Sequence, residues 1–389
     1  MARRIALALG CLGYAALALG SGLDRISAQQ PALASRVPAL FASEALRVRG
    51  GQALTAGDAK AALALGKAAI ADSPTDPQSA AMLGAGRLAS GERGGADLAF
   101  RVAGKLGWRV PITQSYWMAR ALEANDYRIA AMRLDALLRQ QPDLHRQRSL
   151  LDPMERNPAG RTALVERMAA APVWLDAYAG DVASLPVDAM LQRVPVLIEA
   201  ADRRLVLGCS AIAPGANRLA VLGQFSEGAA LWRAHCPVAG QGLVGDGQFM
   251  LATLGERPSA FAWELQGNNE LALGFEVSPS GPGKRLTVHG TPARTRLVAT
   301  QLLTLAPGRY LLSWRSGNSQ DLPSDAVVAS LTCRGIEPVW LTPTLDRGTG
   351  LWQAEANVAA GCGAQILGFG VTPAAGEVWL EGVELKLQR

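Results

Sequence analysis

Lysine and histidine are scarce in this 389-residue chain. Lys60, Lys67, Lys105, Lys284 and Lys386 are the only lysines, and His145, His235 and His289 the only histidines. The histidines fall in separate segments, none at a metal-ligand spacing with Cys, Asp or Glu, so no metal site is expected. The formal charge of +5 rests almost wholly on arginine, without a dense basic run or a nucleic-acid motif. No nucleic-acid partner is therefore expected. Nothing in the composition marks a disordered or fibrous chain.

Catalytic signatures are missing as well. Gly84-Ala85-Gly86-Arg87-Leu88-Ala89 fits a loose dinucleotide fingerprint but lies inside a helical pattern, where the fingerprint has no use. Gly281-Pro282-Gly283-Lys284 lacks the loop length and the following Ser or Thr of a phosphate loop, and reads as a turn between strands. His235 and Cys236 are neighbours on a helix and so cannot face each other as base and nucleophile. Glu381 and Glu384 straddle a bulge or turn at Gly382 and are read as solvated carboxylates. No catalytic residue and no cofactor are expected.

What is present begins with Arg3-Arg4 and an apolar stretch from Ile5 to Leu19, extending to Leu23 if Gly and Ser are allowed. A charged start followed by an apolar run is the layout of an export signal, and Ala18-Leu19-Gly20 offers a small–x–small cleavage site. The same stretch nearly reaches the roughly 20 residues of a membrane helix. Residues 1–28 are thus a signal peptide or a membrane anchor, with the rest of the chain on the periplasmic face of the inner membrane or free in the periplasm. Cys11 lies within the apolar run, not after it, and is a poor lipid-attachment site. The other cysteines, Cys209, Cys236, Cys333 and Cys362, make an even set suited to an oxidising space. Pairing within domains, Cys209 with Cys236 and Cys333 with Cys362, is the natural arrangement; four buried free thiols are the alternative.

From residue 43 to 144 the chain repeats at an interval of 34 residues, marked by Gly57-Asp58, Gly91-Glu92 and Asn125-Asp126. Ala62, Ala96 and Ala130 follow at a fixed offset, then Phe100 and Leu134, with Gly66 departing from the bulky residue at that place. This segment resembles three tetratricopeptide repeats, helix–turn–helix units that stack as an α-solenoid. The resemblance implies a surface for an extended protein partner. Residues 145–240 stay helical without the period, and read as an irregular extension of the solenoid. Asn157-Pro158 there forms a helix start.

From residue 241 to 389, segments of period two between Gly and Pro turns replace the helical stripes. Nine or ten strands predict an antiparallel β-sandwich, most simply a jelly roll. Leu243-Val244-Gly245-Asp246-Gly247-Gln248-Phe249, the hairpin carrying Gln301, and Trp379 to Leu385 are similar to carbohydrate-binding-module jelly rolls, with Asp246 where Asn is usual. Trp263, Trp314 and Trp379 are read as core. Trp340 and Trp352 are the candidate platforms for stacking a sugar ring. The whole, a multidomain α plus all-β chain behind an export segment, resembles a group of exported proteobacterial repeat proteins linked to envelope or exopolysaccharide systems. That resemblance implies a non-catalytic adaptor for a cell-envelope protein partner, with polysaccharide binding by the sandwich as the alternative and a polysaccharide-active enzyme as a third.

Overall fold

The structure is a computed structural model that describes residues 2–237, 242–255, 259–373 and 376–388. The expected boundary at 240/241 lies outside the described residues. Contacts divide the chain into two compact units, residues 1–144 and 145–389.

The first unit is helical: α1 (Ala2–Gln29), α2 (Ser43–Thr55), α3 (Ala59–Asp72), α4 (Pro77–Ala89), α5 (Arg93–Leu106), α6 (Pro111–Glu123) and α7 (Tyr127–Gln140). The repeated markers are turns of one kind. Gly57, Gly91 and Asn125 take left-handed φ values of 75°, 80° and 56°. The next N–H in each case reaches back to a helix carbonyl, Asp58 to Ala53, Glu92 to Arg87 and Asp126 to Ala121, at 2.9, 2.9 and 2.8 Å. Such a turn ends one helix by satisfying its orphan carbonyls. Asp58 and Asp126 then start the next helix, their carboxylates accepting from Ala61 N and Ile129 N at 2.9 and 3.0 Å.

The small residues sit where helices meet. Ala62, Ala96 and Ala130 are fully buried. Gly66 has a physical reason: a Cβ there would lie 2.8 Å from Leu83 Cα, and one at Gly86 would lie 2.7 Å from Leu63 Cα. Helices α3 and α4 therefore pack backbone against backbone, and no bulky side chain fits between them. In the next layer Phe100 stacks on Tyr116 with ring centroids 4.0 Å apart.

Of the two N-terminal expectations, the membrane anchor finds no support. No helix among the described residues is long and apolar enough to cross a membrane. Gly10, Gly13, Gly20, Ser21 and Gly22 dilute the apolar run that suggested an anchor. Nor is residue 28 a clean boundary. Asp24 accepts from Glu44 N and Ala45 N at 3.0 and 2.8 Å, capping α2 from a neighbouring helix, since Ala42 before α2 offers no side-chain oxygen. Leu23 packs with Ala34, Val37, Ala42 and Ala45.

The second unit opens with α8 (Arg148–Glu155), α9 (Pro158–Met168), α10 (Leu175–Gly180), α11 (Val187–Asp202), α12 (Cys209–Val221) and α13 (Phe225–His235). Asn157 caps α9 through Ala159 N at 2.9 Å. Gly223 repeats the left-handed turn, φ 78°, between α12 and α13. A buried charge cluster holds this segment together. Arg193 Nε donates to Glu155 Oε1 at 3.0 Å, Tyr178 Oη donates to the same oxygen at 2.8 Å, and Arg193 Nη2 reaches His145 O at 2.8 Å. Arg148 Nη1 lies 2.8 Å from Glu155 Oε2, close enough to pair charges though misaligned for a hydrogen bond. Burial, then the nearby Glu155 charge, holds the Tyr178 hydroxyl well above the usual phenol range.

Among the described residues ten strands follow: β1 (Glu264–Leu265), β2 (Ala272–Val277), β3 (Lys284–Gly290), β4 (Arg296–Leu303), β5 (Gly308–Asn318), β6 (Val327–Cys333), β7 (Thr344–Asp346), β8 (Leu351–Val358), β9 (Gln365–Val371) and β10 (Gly376–Leu387). They form two antiparallel sheets, ordered β1-β4-β9-β6 and β2-β3-β10-β5-β8-β7. Trp263, Trp314, Phe249 and Phe369 fill the core between them. The helices expected to extend the solenoid fall with this sandwich instead. Ala216, Ala220, Ala229 and Trp232 of α12 and α13 pack on Phe261, Leu302 and Ala364. Asn217 Oδ1 accepts from Ala260 N at 2.6 Å across the same contact.

Candidate functional site

Cys209 is joined to Cys236 and Cys333 to Cys362. The first bridge ties the start of α12 to the end of α13; the second ties the end of β6 to the loop before β9. Beside Cys236, His235 is buried and structural. Its Nδ1 accepts from Leu207 N at 3.3 Å, which leaves the proton on Nε2 to donate to Leu197 O at 2.9 Å. Burial lowers its pKa, opposed by the Leu197 hydrogen bond.

The two candidate platforms part company. Trp352 is buried in the sandwich core, and its indole N–H donates to Ser316 O at 3.3 Å. It offers no face to a sugar, which corrects the expectation. Trp352 follows the Gly348-Thr349-Gly350 turn, yet the period of β8 sends it inward beside Ala354 and Ala356. Trp340 is half-buried, its ring lying over Gly370, where a Cβ would come 2.4 Å from the ring. The two rings belong to different sheets and make no common site. Trp379, read as core, is instead half-buried on the outer face of the six-stranded sheet, with the Arg285 guanidinium 5.3 Å from its ring centroid.

A cavity of about 590 Å³ lies on that outer face. Its walls include Ser313, Arg315, Met250, Leu351 and Glu384. Strand parity explains Ser313 and Arg315, because Tyr310, Leu312 and Trp314 of β5 fill the core and send the intervening residues outward. At Gly382, φ 62°, β10 makes a bulge, and the register slips between Glu381 and Glu384. The carboxylates flanking it differ. Glu384 is solvated and pairs with Lys386 at 2.8 Å. Glu381 is 1% exposed, and neither carboxylate oxygen has a hydrogen-bond partner among the described residues. The expectation that both are solvated fails for Glu381, which lies in register opposite Arg315 just before the slip.

Leu243, Asp246, Gly247, Gln248 and Met250 also wall the cavity, on a firmly held segment. Val383 N donates to Gly247 O at 2.9 Å, an approach so close that a Cβ at Gly247 would overlap Val383 O. The Gln301 side chain pairs with Gly245 as a strand would, accepting from its N–H at 3.0 Å and donating to its carbonyl at 2.7 Å. Asp246 is buried at left-handed φ 54°, its carboxylate accepting from Met250, Leu251 and Ala252 N–H at 2.6, 2.9 and 3.1 Å. Three donors call for two oxygens, which the carboxylate supplies and an amide at this place would not. Burial raises the Asp246 pKa, and these amides oppose the shift.

The first unit carries a different feature. On α5, Ala96, Ala99, Phe100 and Ala103 face inward, while Leu98 and Val102 are 59% and 48% exposed. Leu106 and Trp108 continue that exposed apolar face. Among the described residues, no group of three or more His, Cys, Asp or Glu is placed to hold a metal.

Compared with known proteins, the chain matches no family model and no curated protein. Among solved structures it is similar to the enzymatically active domain of bacteriophage CBA120 tailspike protein 4, at 13% identity and a TM-score of 0.26. That match covers 40% of this chain and 23% of the other. The chain thus spans less than a quarter of the structure it matches, a likeness too slight to transfer fold or activity.

Proposed function

We propose that the chain is an exported, non-catalytic adaptor of the cell envelope, holding a protein partner on its helical repeats. The observation that supports this reading is the first unit: repeated helical hairpins, resembling tetratricopeptide repeats in sequence, whose closely packed helices leave large apolar side chains exposed on α5. Repeat stacks of this kind make extended binding surfaces, and exposed apolar patches mark contact sites. The two disulfides suit an oxidising compartment. Residues 2–20 serve export in this reading; cleavage after Gly20 would leave Asp24 in place to cap α2. A periplasm-active reporter fused at Gln29 should be active; activity of a cytoplasmic reporter alone would remove the export claim. A tagged chain should retain a stoichiometric partner from envelope extracts and lose it when residues 43–144 are deleted. Retention by the deleted chain would move the partner site off the repeats.

A second reading has its own observation. The jelly-roll-like sandwich carries the cavity beside Arg315, whose guanidinium makes no hydrogen bond or ion pair among the described residues. Its volume falls in the range of small-molecule sites, and its mixed polar and apolar walls suit a saccharide. The full chain should be retarded in affinity electrophoresis through envelope glycan, and Arg315→Met should abolish the retardation. Equal migration with and without glycan would leave the adaptor reading alone.

A further inference from the structure

We infer that the exposed face of α5 is the docking surface for an acidic amphipathic segment of a protein partner. This rests on the adaptor reading and names where on the repeats the partner sits and what it must look like. At 100° per residue, Leu98, Val102 and Leu106 fall at successive turns along one side of α5, and Arg101 and Lys105 run beside them. Past the helix end Trp108 and Arg109 are also exposed, the guanidinium 4.8 Å from the ring centroid.

The charge on this face is of one sign and uncommitted. Arg101, Lys105 and Arg109 are exposed and make no ion pair among the described residues. The acidic groups nearby are engaged elsewhere: Asp97 by the Tyr116 hydroxyl and by Arg120 at 3.8 Å, and Glu92 by Arg87 at 3.9 Å. An apolar row bordered by unpaired cations fits a helix whose Leu-type residues recur every three or four positions beside Asp or Glu. Burying the row removes apolar surface from water, while the cations select acidic flanks and reject basic ones.

The opposite side of α5 shows that this face is not a packing remnant. Ala96, Phe100 and Ala103 already fill the contact with α4 and α6. A lipid surface is the weaker fit. The row from Leu98 to Leu106 is about 12 Å long at 1.5 Å per residue, and three cations fall short of the roughly 4–8 that mark anionic-lipid patches.

The test places a photo-crosslinking residue at Val102 of the intact chain in living cells, with a second probe at exposed Ala119 on α6. The inference expects a protein adduct at Val102 whose crosslinked peptide, read by mass spectrometry, is acidic and amphipathic. A synthetic copy of that peptide should bind the purified chain, more weakly as salt rises, and Arg101→Glu/Lys105→Glu should weaken it by about tenfold or more. Leu98→Ser should weaken it too, with the circular dichroism and melting of the chain retained. A basic or apolar adduct peptide, a phospholipid adduct, or an adduct with a second copy of this chain would each overturn the inference. An adduct at Ala119 with none at Val102 would overturn it while leaving the adaptor reading standing. No adduct at either position would overturn both.

Discussion

Arg193 and Glu155 meet at 3.0 Å with neither side chain reaching solvent. They are far apart in the chain, on α11 and α8, and the Arg193 guanidinium also lies over the Tyr178 ring at 4.0 Å. A buried pair of this kind depends on both members. Removing one leaves the other charged and desolvated, whereas replacing both with apolar groups avoids that penalty. Arg193→Ala should therefore lower stability by about 3–5 kcal/mol. Arg193→Leu with Glu155→Leu should cost much less than the sum of the single changes. Urea unfolding of the four proteins gives the cycle; additive costs would show that the pair is not coupled.

His235 sets a pH dependence whose sign is fixed. Its pKa in the fold lies below the unfolded value of 6.5, because burial penalises the imidazolium. The unfolded chain thus binds the extra proton first as pH falls. The stability His235 contributes is fully present above pH 6.5 and is lost as pH falls through the lower folded value. His235→Gln keeps a donor for Leu197 O and does not titrate. Its melting temperature should fall less between pH 7 and pH 5 than that of the parent, and equal slopes would remove His235 as the cause.

Ala96 tests the repeat packing. It is fully buried where α5 meets α4. Ala96→Leu adds volume to a contact without space and should cost roughly 1–3 kcal/mol. Melting equal to the parent would show that the contact can yield.

Local chemistry made part of this fold legible. Gly57, Gly91 and Asn125 announce left-handed turns because few residues accept that backbone, and their spacing reports the repeat. Asn157-Pro158 announces a helix start for the same kind of reason. The cysteine pairs followed from an even count divided between two segments. Features built from distant residues stayed hidden. Nothing near Glu155 points to Arg193, and nothing near Gly66 shows that α4 approaches its backbone. The packing of α12 and α13 on the sandwich depends on small residues that look alike in any helix. At the cavity, alternation along β5 turns Ser313 and Arg315 away from the core, but a bulge re-sets the face of Glu384, and nothing local announces that Glu381 is buried. Trp352 lies close to a turn, but the parity of its own strand turns it into the core.

A protein partner held on the repeats shows itself in the native size of the chain. Gently solubilised envelopes from cells carrying the tagged chain can be resolved by native electrophoresis. The account predicts a discrete assembly larger than the 40.8 kDa chain, and its collapse toward the free chain when Leu98→Glu and Val102→Glu are combined. The doubly substituted chain should still melt cooperatively, since both side chains are exposed. Migration of the unsubstituted chain at its own size, with no larger species, would contradict the account.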